Sequence, residues 1–181
     1  MDRTHFAASP EKEKLARAQG DAYDAALAEM KKEDVHASIE AEEYVITFVA
    51  EKAEGMYAPS SATDLSWHTP DDGANVHIEV AVQDRYDHRF LPQLDVECTL
   101  VDEAGNIIGT KMQPFLWHPF LFHYGANWHI PGSGLYRARI VVRQPAFHRH
   151  DEKFGKRYER TVEVELGPID LPVGQKPHGP E

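Results

Sequence analysis

The chain has 181 residues, enough for one domain with extensions, and its 41% hydrophobic and 27% charged residues are typical of a globular protein. Its formal net charge of −11 argues against nucleic acid as a partner, because phosphate binding requires clustered lysine and arginine. The single cysteine, Cys98, excludes an intrachain disulfide, and no apolar run reaches the roughly 18 residues that a membrane span requires.

Residues 1–40 are predicted to form an N-terminal helical extension. Ser9-Pro10 is typical of a helix start, with Ser9 as the cap and Pro10 at the first helical position. The helix is predicted over residues 10–32, packed on the main domain or on a partner chain. Its thin apolar stripe, which Gly20 weakens, comprises Leu15, Ala18, Ala22, Ala26, Leu27 and Met30. Because the first ten residues lack the apolar core of a signal peptide, the chain, if complete as given, is expected in the cytoplasm.

The hydrophobic period changes to two over residues 41–167. Alternating or β-branched runs begin at Tyr44, Val76, Leu94, Tyr136 and Val162, and a hairpin turn is predicted at residues 102–106. Short alternating strands separated by turns predict an all-β, antiparallel β-sandwich. From Gly167 onward the last fifteen residues hold four prolines and three glycines, so residues 168–181 are predicted to form an extended or mobile tail.

Histidines are concentrated in the predicted sandwich, where eight of the eleven lie between His68 and His150. Imidazole is the commonest metal ligand in proteins, so this concentration suggests a metal site. Strand alternation places His77 and Glu79 on the face opposite Ile78, about 7 Å apart at their Cα atoms. That spacing suits chelation of a divalent ion, although a solvated pair without a ligand is the alternative.

Each tryptophan is followed by a histidine, which predicts that the indole lies in the core and the imidazole faces outward; the pairs are Trp67-His68, Trp117-His118 and Trp128-His129. Such rings would bind metal or form hydrogen bonds with the nearby backbone. Cys98 alternates in phase with core positions and is predicted to be structural, which argues against a blue-copper site. Met56 and Met112 are candidate thioether ligands for Cu(I), with core packing as the alternative.

Three segments together resemble the bacterial periplasmic iron-transport accessory proteins, a copper-binding family with an immunoglobulin- or cupredoxin-like fold. They are His77-Ile78-Glu79, His123-Tyr124-Gly125-Ala126-Asn127 and Phe147-His148-Arg149-His150, and the resemblance covers about residues 43–166. It implies that a loop carries the pentapeptide and that the metal ligands are His77, Glu79, His123 and His150. The family's methionine ligand precedes the pentapeptide; here Leu116 falls near that place, and Met112 or His118 would substitute.

The leading hypothesis is non-catalytic binding of a divalent transition metal, copper or iron with zinc possible, linked to iron uptake or metal homeostasis. The resemblance implies a periplasmic homodimer, with His150 reaching the site from a second subunit, and a membrane permease as partner. Two alternatives remain open at this point. In the first, the sandwich is a protein-interaction module that binds no metal. In the second, the protein is a metal-dependent oxidase of Fe(II) or Cu(I).

Overall fold

The computed structural model describes residues 8–32 and 35–177. The first seven residues of the predicted N-terminal extension and the end of the predicted tail at residues 178–181 lie outside this description. One helix is followed by eleven strands in the described residues: α1 (Pro10–Met30), β1 (Val35–Ala41), β2 (Tyr44–Glu51), β3 (Met56–Pro59), β4 (Leu65–His68), β5 (Val76–Asp84), β6 (Val96–Asp102), β7 (Ile107–Met112), β8 (Phe115–Trp117), β9 (Phe122–Trp128), β10 (Gly134–Val142) and β11 (Val162–Leu171).

Two antiparallel sheets pack face to face and confirm the predicted β-sandwich. The first sheet has the order β1-β2-β5-β9-β8, the second has the order β11-β10-β6-β7, and β3 pairs separately with β4. The alternating apolar residues of both sheets form one core, which includes Phe48, Ile78, Cys98, Trp128 and Ile140. Cys98 is fully buried there, as predicted.

The sheets extend beyond both ends of the 41–167 segment predicted from the sequence. Strand β1 lies before residue 41 and pairs along its whole length with β2, while β11 continues to Leu171. β1 is an edge strand with three half-buried apolar positions, so its alternation is too weak to mark it as a strand. The segment after β11 also binds to the sandwich, since the backbone N–H of Lys176 donates to the carbonyl of Ala53.

Helix α1 begins where the sequence predicts, with Ser9 as its N-cap and Pro10 in the first turn. The first half of the predicted apolar stripe is wrong, because Leu15 is 64% exposed. The second half packs on the sandwich as predicted, with Leu27 buried and Ala26 and Met30 half-buried. Gly20 and Tyr23 complete the contact face. The sheet presents aromatic rings to the helix, and Tyr23 stacks on Phe90 with centroids 4.7 Å apart. No helix among the described residues is long and apolar enough to cross a bilayer.

Gly20 brings α1 close to the sandwich rather than merely weakening it. A Cβ atom at this position would lie 1.6 Å from the carbonyl oxygen of Asp87, so only glycine allows this approach. The helix therefore covers the outer face of the five-stranded sheet, where Leu27 packs with Ala81 of β5. Strand β5 is buried along its whole length, with the sandwich core on one face and α1 and neighbouring loops on the other.

Candidate metal site

Two imidazoles and a carboxylate converge on the covered face of the five-stranded sheet. The candidate ligand atoms of His77, Glu79 and His123 all lie within 4.8 Å of one another. His123 Nε2 is 3.0 Å from Glu79 Oε1, and His77 Nε2 is 3.9 Å from the same oxygen. His77 and Glu79 face away from the sandwich core, as alternation predicts, yet both are buried because other segments cover this face.

Asn127 fixes the orientation of the His77 ring. Its side-chain amide donates to the carbonyl of Glu54 over 2.7 Å, and its Oδ1 accepts from the Glu54 N–H over 3.2 Å. That oxygen also lies 3.0 Å from His77 Nδ1, so Nδ1 carries the proton and donates to it. The Nε2 lone pair of His77 then faces the cluster, where Nε2 has no hydrogen-bond partner.

The electrostatics of the cluster favour neutral rings at His77 and His118 and an ionised carboxylate at Glu79. Burial lowers the pKa of His77 and of His118 below the ordinary histidine value. Burial alone would raise the pKa of Glu79, but the neighbouring imidazoles, His123 above all, outweigh burial and leave that pKa lowered. The shifts of His77, His118 and Glu79 therefore favour the deprotonated forms that metal coordination requires.

The pentapeptide that carries the resemblance is part of strand β9, not a loop as the resemblance implies. Tyr124 faces the sandwich core, where its hydroxyl donates to the carbonyl of Leu91 over 2.6 Å. Gly125 gives the His77 ring its space, since a Cβ atom there would lie 2.9 Å from the Ile78 carbonyl oxygen and 3.2 Å from His77 Nε2. Pairing of β9 with β5 fixes this arrangement by placing Gly125 opposite Glu79.

His118 joins the cluster from the segment between β8 and β9. Its ring stacks on His123 with centroids 5.0 Å apart, and its backbone N–H donates to the carbonyl of Leu121. Leu116 pairs with His123 across β8 and β9 and contributes no donor atom. Met112 is exposed on β7 in the other sheet, near Arg143, so of the two predicted substitutes only His118 lies at the site.

The tryptophan–histidine pairs follow the prediction only in part. Trp128 is buried and His129 is exposed, as expected. Trp117 is 72% exposed whereas His118 is half-buried, so the predicted orientation is wrong at this pair. The reason is that β8 is the edge strand of its sheet, and nothing among the described residues covers the outer side of Trp117.

A cluster of acidic residues beside the imidazoles was not foreseen from the sequence. Carboxylate oxygens of Glu51, Glu54 and Glu79 lie within 4.8 Å of one another, and Glu54 Oε1 is 3.9 Å from His77 Nε2. The ammonium group of Lys176 contacts Glu51 and lies 3.0 Å from Glu54 Oε2. Burial alone would lower the pKa of Lys176, but these carboxylates outweigh it and raise that pKa above the ordinary value.

The cluster opens into a cavity of about 300 Å³ whose wall includes the C-terminal end of α1. Glu29 and Met30 of the helix line it opposite Glu79, His118 and His123. The N-terminal extension thus borders the candidate site as well as covering the sheet, a role that the helix pattern alone did not indicate.

His150 does not lie with the other predicted ligands in the single chain. It is exposed in the loop between β10 and β11, and its neighbours Arg149 and Asp151 line a different cavity, near the far end of β5. The group of potential metal ligands found among the described residues contains His77, Glu79 and His123 without it. The fold of one chain therefore brings together four of the five predicted ligands.

Comparison with solved structures identifies the fold. The chain is 20% identical to FetP of uropathogenic E. coli strain F11, which was expressed in the periplasm, with a TM-score of 0.61 over 78% of this chain and 97% of that one. A copper-bound glutamate-to-glutamine variant of FetP gives 18% identity and a TM-score of 0.60, covering 77% of this chain and 97% of that chain. Copper-reconstituted P19 of Campylobacter jejuni gives 19% identity and a TM-score of 0.57, covering 73% of this chain and 91% of that chain.

No family model and no curated protein matches the sequence. The structural likeness therefore rests on the arrangement of the strands, at identities too low to carry an activity from one chain to another. It confirms, at the level of the fold, the resemblance that the histidine motifs predict: this chain has the β-sandwich of FetP and P19, with an N-terminal helix packed on it.

Proposed function

We propose that this protein binds copper without catalysing a reaction, at the cluster formed by His77, Glu79, His123 and His118. The observation that carries the proposal is the convergence of two buried imidazoles and a carboxylate whose candidate ligand atoms lie within 4.8 Å of one another, with His77 Nε2 having no hydrogen-bond partner in the described structure. Buried polar atoms without a partner are rare and call for an explanation. A metal ion coordinated by both Nε2 atoms and the Glu79 carboxylate provides one.

Copper is the favoured ion because three imidazoles and one carboxylate make a nitrogen-rich donor set. Divalent copper binds such a set more tightly than iron or zinc does, following the general order of first-row metal affinities. The FetP variant and P19, which share this fold, are copper-bound. Fe(II) and Zn(II) would bind the same atoms more weakly, and the proposal therefore includes them only as competitors.

Each donor has a distinct role in the proposed site. His77 and His123 are the central ligands, since both are buried and held in place by β5 and β9. Glu79 supplies an oxygen that can adjust when the metal changes oxidation state. His118 would complete the set with a third imidazole, since its ring lies against that of His123.

His150 would take part only from a second copy of the chain, because its own loop lies away from the cluster. The proposal therefore includes a homodimer as the arrangement in which His150 becomes a ligand. The cellular role proposed for such a site is copper-linked iron uptake outside the cytoplasm, with a membrane permease as the partner. Expression of FetP in the periplasm supports the location, and the sequence resemblance supports the role.

The test is copper titration of untagged protein by calorimetry, together with electron paramagnetic resonance of the Cu(II) complex. Wild type is expected to bind one Cu(II) per chain with nitrogen hyperfine structure from imidazole. The double variant His77→Ala/His123→Ala is expected to lose at least about 100-fold in affinity, since even loss of an outer hydrogen-bond partner costs about 10- to 100-fold. His129→Ala, which removes an exposed imidazole, is the control and is expected to bind as wild type does.

Unchanged copper affinity in a folded double variant would overturn the proposal. The role of His150 is tested separately, by sedimentation and copper titration of His150→Ala. Reduced affinity that appears only at concentrations where the wild type is dimeric would support a ligand from the second copy. Wild-type affinity in this variant would remove His150 from the ligand set.

A further inference from the structure

A second cavity, of about 320 Å³, lies at the opposite end of α1 from the candidate metal site. Three segments enclose it: the first two turns of α1, the turn after β5 and the loop between β10 and β11. It shares no lining residue with the cavity at the metal site. Its volume falls within the range of sites that bind small molecules.

The charge of this cavity is opposite to that of the whole protein. Five of its lining residues are basic and three are acidic, in a chain whose formal net charge is −11; the basic residues are Lys12, Arg17, Arg89, Arg149 and Arg157. Positive charge concentrated in a concave surface with low-dielectric walls attracts anions. The pairing of these groups decides how much of that charge is available to a ligand.

Two of the arginines are neutralised by their own carboxylates. Arg89 binds Asp87 in a bidentate arrangement, with nitrogen–oxygen distances of 3.1 and 3.0 Å. Arg157 Nη1 lies 2.9 Å from Asp84 Oδ2. These pairs contribute shape and rigidity to the cavity wall and little net charge.

The remaining acidic groups of the wall are also engaged. Glu13 pairs with Lys153 over 2.5 Å, outside the set of lining residues. Asp151 Oδ1 accepts the backbone N–H groups of Lys153 and Phe154 over 2.9 and 2.7 Å. The carboxylates are therefore held by other partners and are not directed at the other three lining cations.

Lys12, Arg17 and Arg149 carry the unpaired positive charge. No carboxylate of residues 8–32 and 35–177 lies within ion-pair distance of any of the three. The guanidinium of Arg149 donates instead to the backbone carbonyls of Phe147, Pro145 and Tyr158 over 3.2–3.4 Å. Its Nε is buried without a partner, so this cation is held in position by the loop while its charge is not balanced by an anion.

We propose that this cavity binds a small organic anion that carries a carboxylate or phosphate group on an apolar body. Guanidinium groups recognise both anions through charge-assisted hydrogen bonds, which are stronger than neutral ones. The apolar body would lie against Ala16 and the aromatic side chains of the wall. The rings of Tyr86 and Phe154 are fixed there by the Arg157 guanidinium, which lies 4.4 and 4.3 Å from their centroids.

The test uses phenyl phosphate and benzoate as probes, with inorganic phosphate and neutral benzyl alcohol for comparison. Binding to the full-length protein would be measured at low salt by calorimetry and by shifts of the aromatic proton signals. We expect phenyl phosphate to bind more tightly than either inorganic phosphate or benzyl alcohol. The double variant Lys12→Gln/Arg17→Gln should weaken that binding about tenfold, and added salt should weaken it further.

Lys14→Gln is the control, because Lys14 is exposed on the same helix but does not line the cavity. Arg149→Met is a second, independent variant, and its fold would be checked by circular dichroism. The proposal is overturned if neither organic anion binds at millimolar concentration, if benzyl alcohol binds as well as phenyl phosphate, or if Lys14→Gln weakens binding as much as the double variant does. Copper binding should be unchanged in all of these variants, so this outcome is independent of the proposed function.

Discussion

Asn127 Oδ1 and His77 Nδ1 lie 3.0 Å apart on directly paired residues of β9 and β5. The same amide is fixed by two hydrogen bonds to the backbone of Glu54, so its oxygen cannot turn away from the ring. An acceptor held in this way selects the imidazole tautomer whose Nε2 is free to coordinate. Asn127 thus connects the loop after β2 to His77 and fixes the ring in the orientation that leaves Nε2 available for metal coordination.

Replacing Asn127 with leucine should lower copper affinity about 10- to 100-fold, the usual cost of removing the outer partner of a metal-bound histidine. The stoichiometry should remain one ion per chain, because the ligands themselves are unchanged. Competition titration against a chelator of known affinity measures the effect. Asn106→Ala, which removes an exposed asparagine from the β6–β7 turn, should leave affinity unchanged. Equal affinities for the Asn127 variant and wild type would show that the amide does not orient the ring.

Gly125→Ala should destabilise the protein by about 1–3 kcal/mol, the usual cost of inserting a methyl group into a packed site. The new Cβ would lie 2.9 Å from the Ile78 carbonyl oxygen and 3.2 Å from His77 Nε2, so copper affinity should fall as well. Urea unfolding and copper titration measure the two effects. Gly109→Ala is the matched control on β7, where the nearest atom would be at an ordinary 3.5 Å. A variant as stable as the control would contradict the packing argument.

Leu27→Ala should reduce the free energy of unfolding by about 2–4 kcal/mol, because it creates a cavity where α1 packs on the sheet. Leu27 is 4% exposed and contacts a cluster that includes Ala81, Phe90 and Leu121. Leu15→Ala makes the same chemical change at an exposed position of the same helix, and its effect should stay below about 0.5 kcal/mol. Similar urea midpoints for the two variants would indicate that α1 does not pack through this face.

The pairing of His88 with Asp24 should make the docking of α1 depend on pH. His88 Nδ1 lies 2.7 Å from Asp24 Oδ2, and this hydrogen bond raises the pKa of His88 above its unfolded value of about 6.5. The stabilisation is therefore complete below about pH 6.5 and is lost as the pH rises through the higher folded pKa. His88→Asn should lower the melting temperature more at pH 5.5 than at pH 8.5. Asparagine is chosen because it tolerates the positive φ of this residue, 61°. A melting-temperature difference that grows with pH would have the wrong sign for this pair.

The local sequence pattern predicted the helix start and most of the long strands. It failed where contacts with residues distant in the sequence determine the packing. The cap at Ser9-Pro10 depends on adjacent residues only, and strand alternation reports which side of a strand is apolar. The contact face of α1 instead depends on the segment after β5, which presents Phe90 to Tyr23 and the backbone carbonyl of Asp87 to Gly20. Helical spacing therefore predicted the contact face at Ala26, Leu27 and Met30, and the tertiary structure adds an aromatic ring and a glycine to it.

The sequence by itself determined the main donor residues, which are the His-x-Glu pair of one strand and the histidine that opens the segment His123–Asn127. It also determined the β-sandwich that holds them. Only the tertiary structure decided which donors meet, because convergence depends on the register between β5 and β9 and on loops closing over their outer face. Register brings His123 to Glu79, and the β8–β9 segment adds His118. The same fold leaves His150 on a different loop and brings Glu54 and Lys176 to the cluster from segments that carry no metal motif.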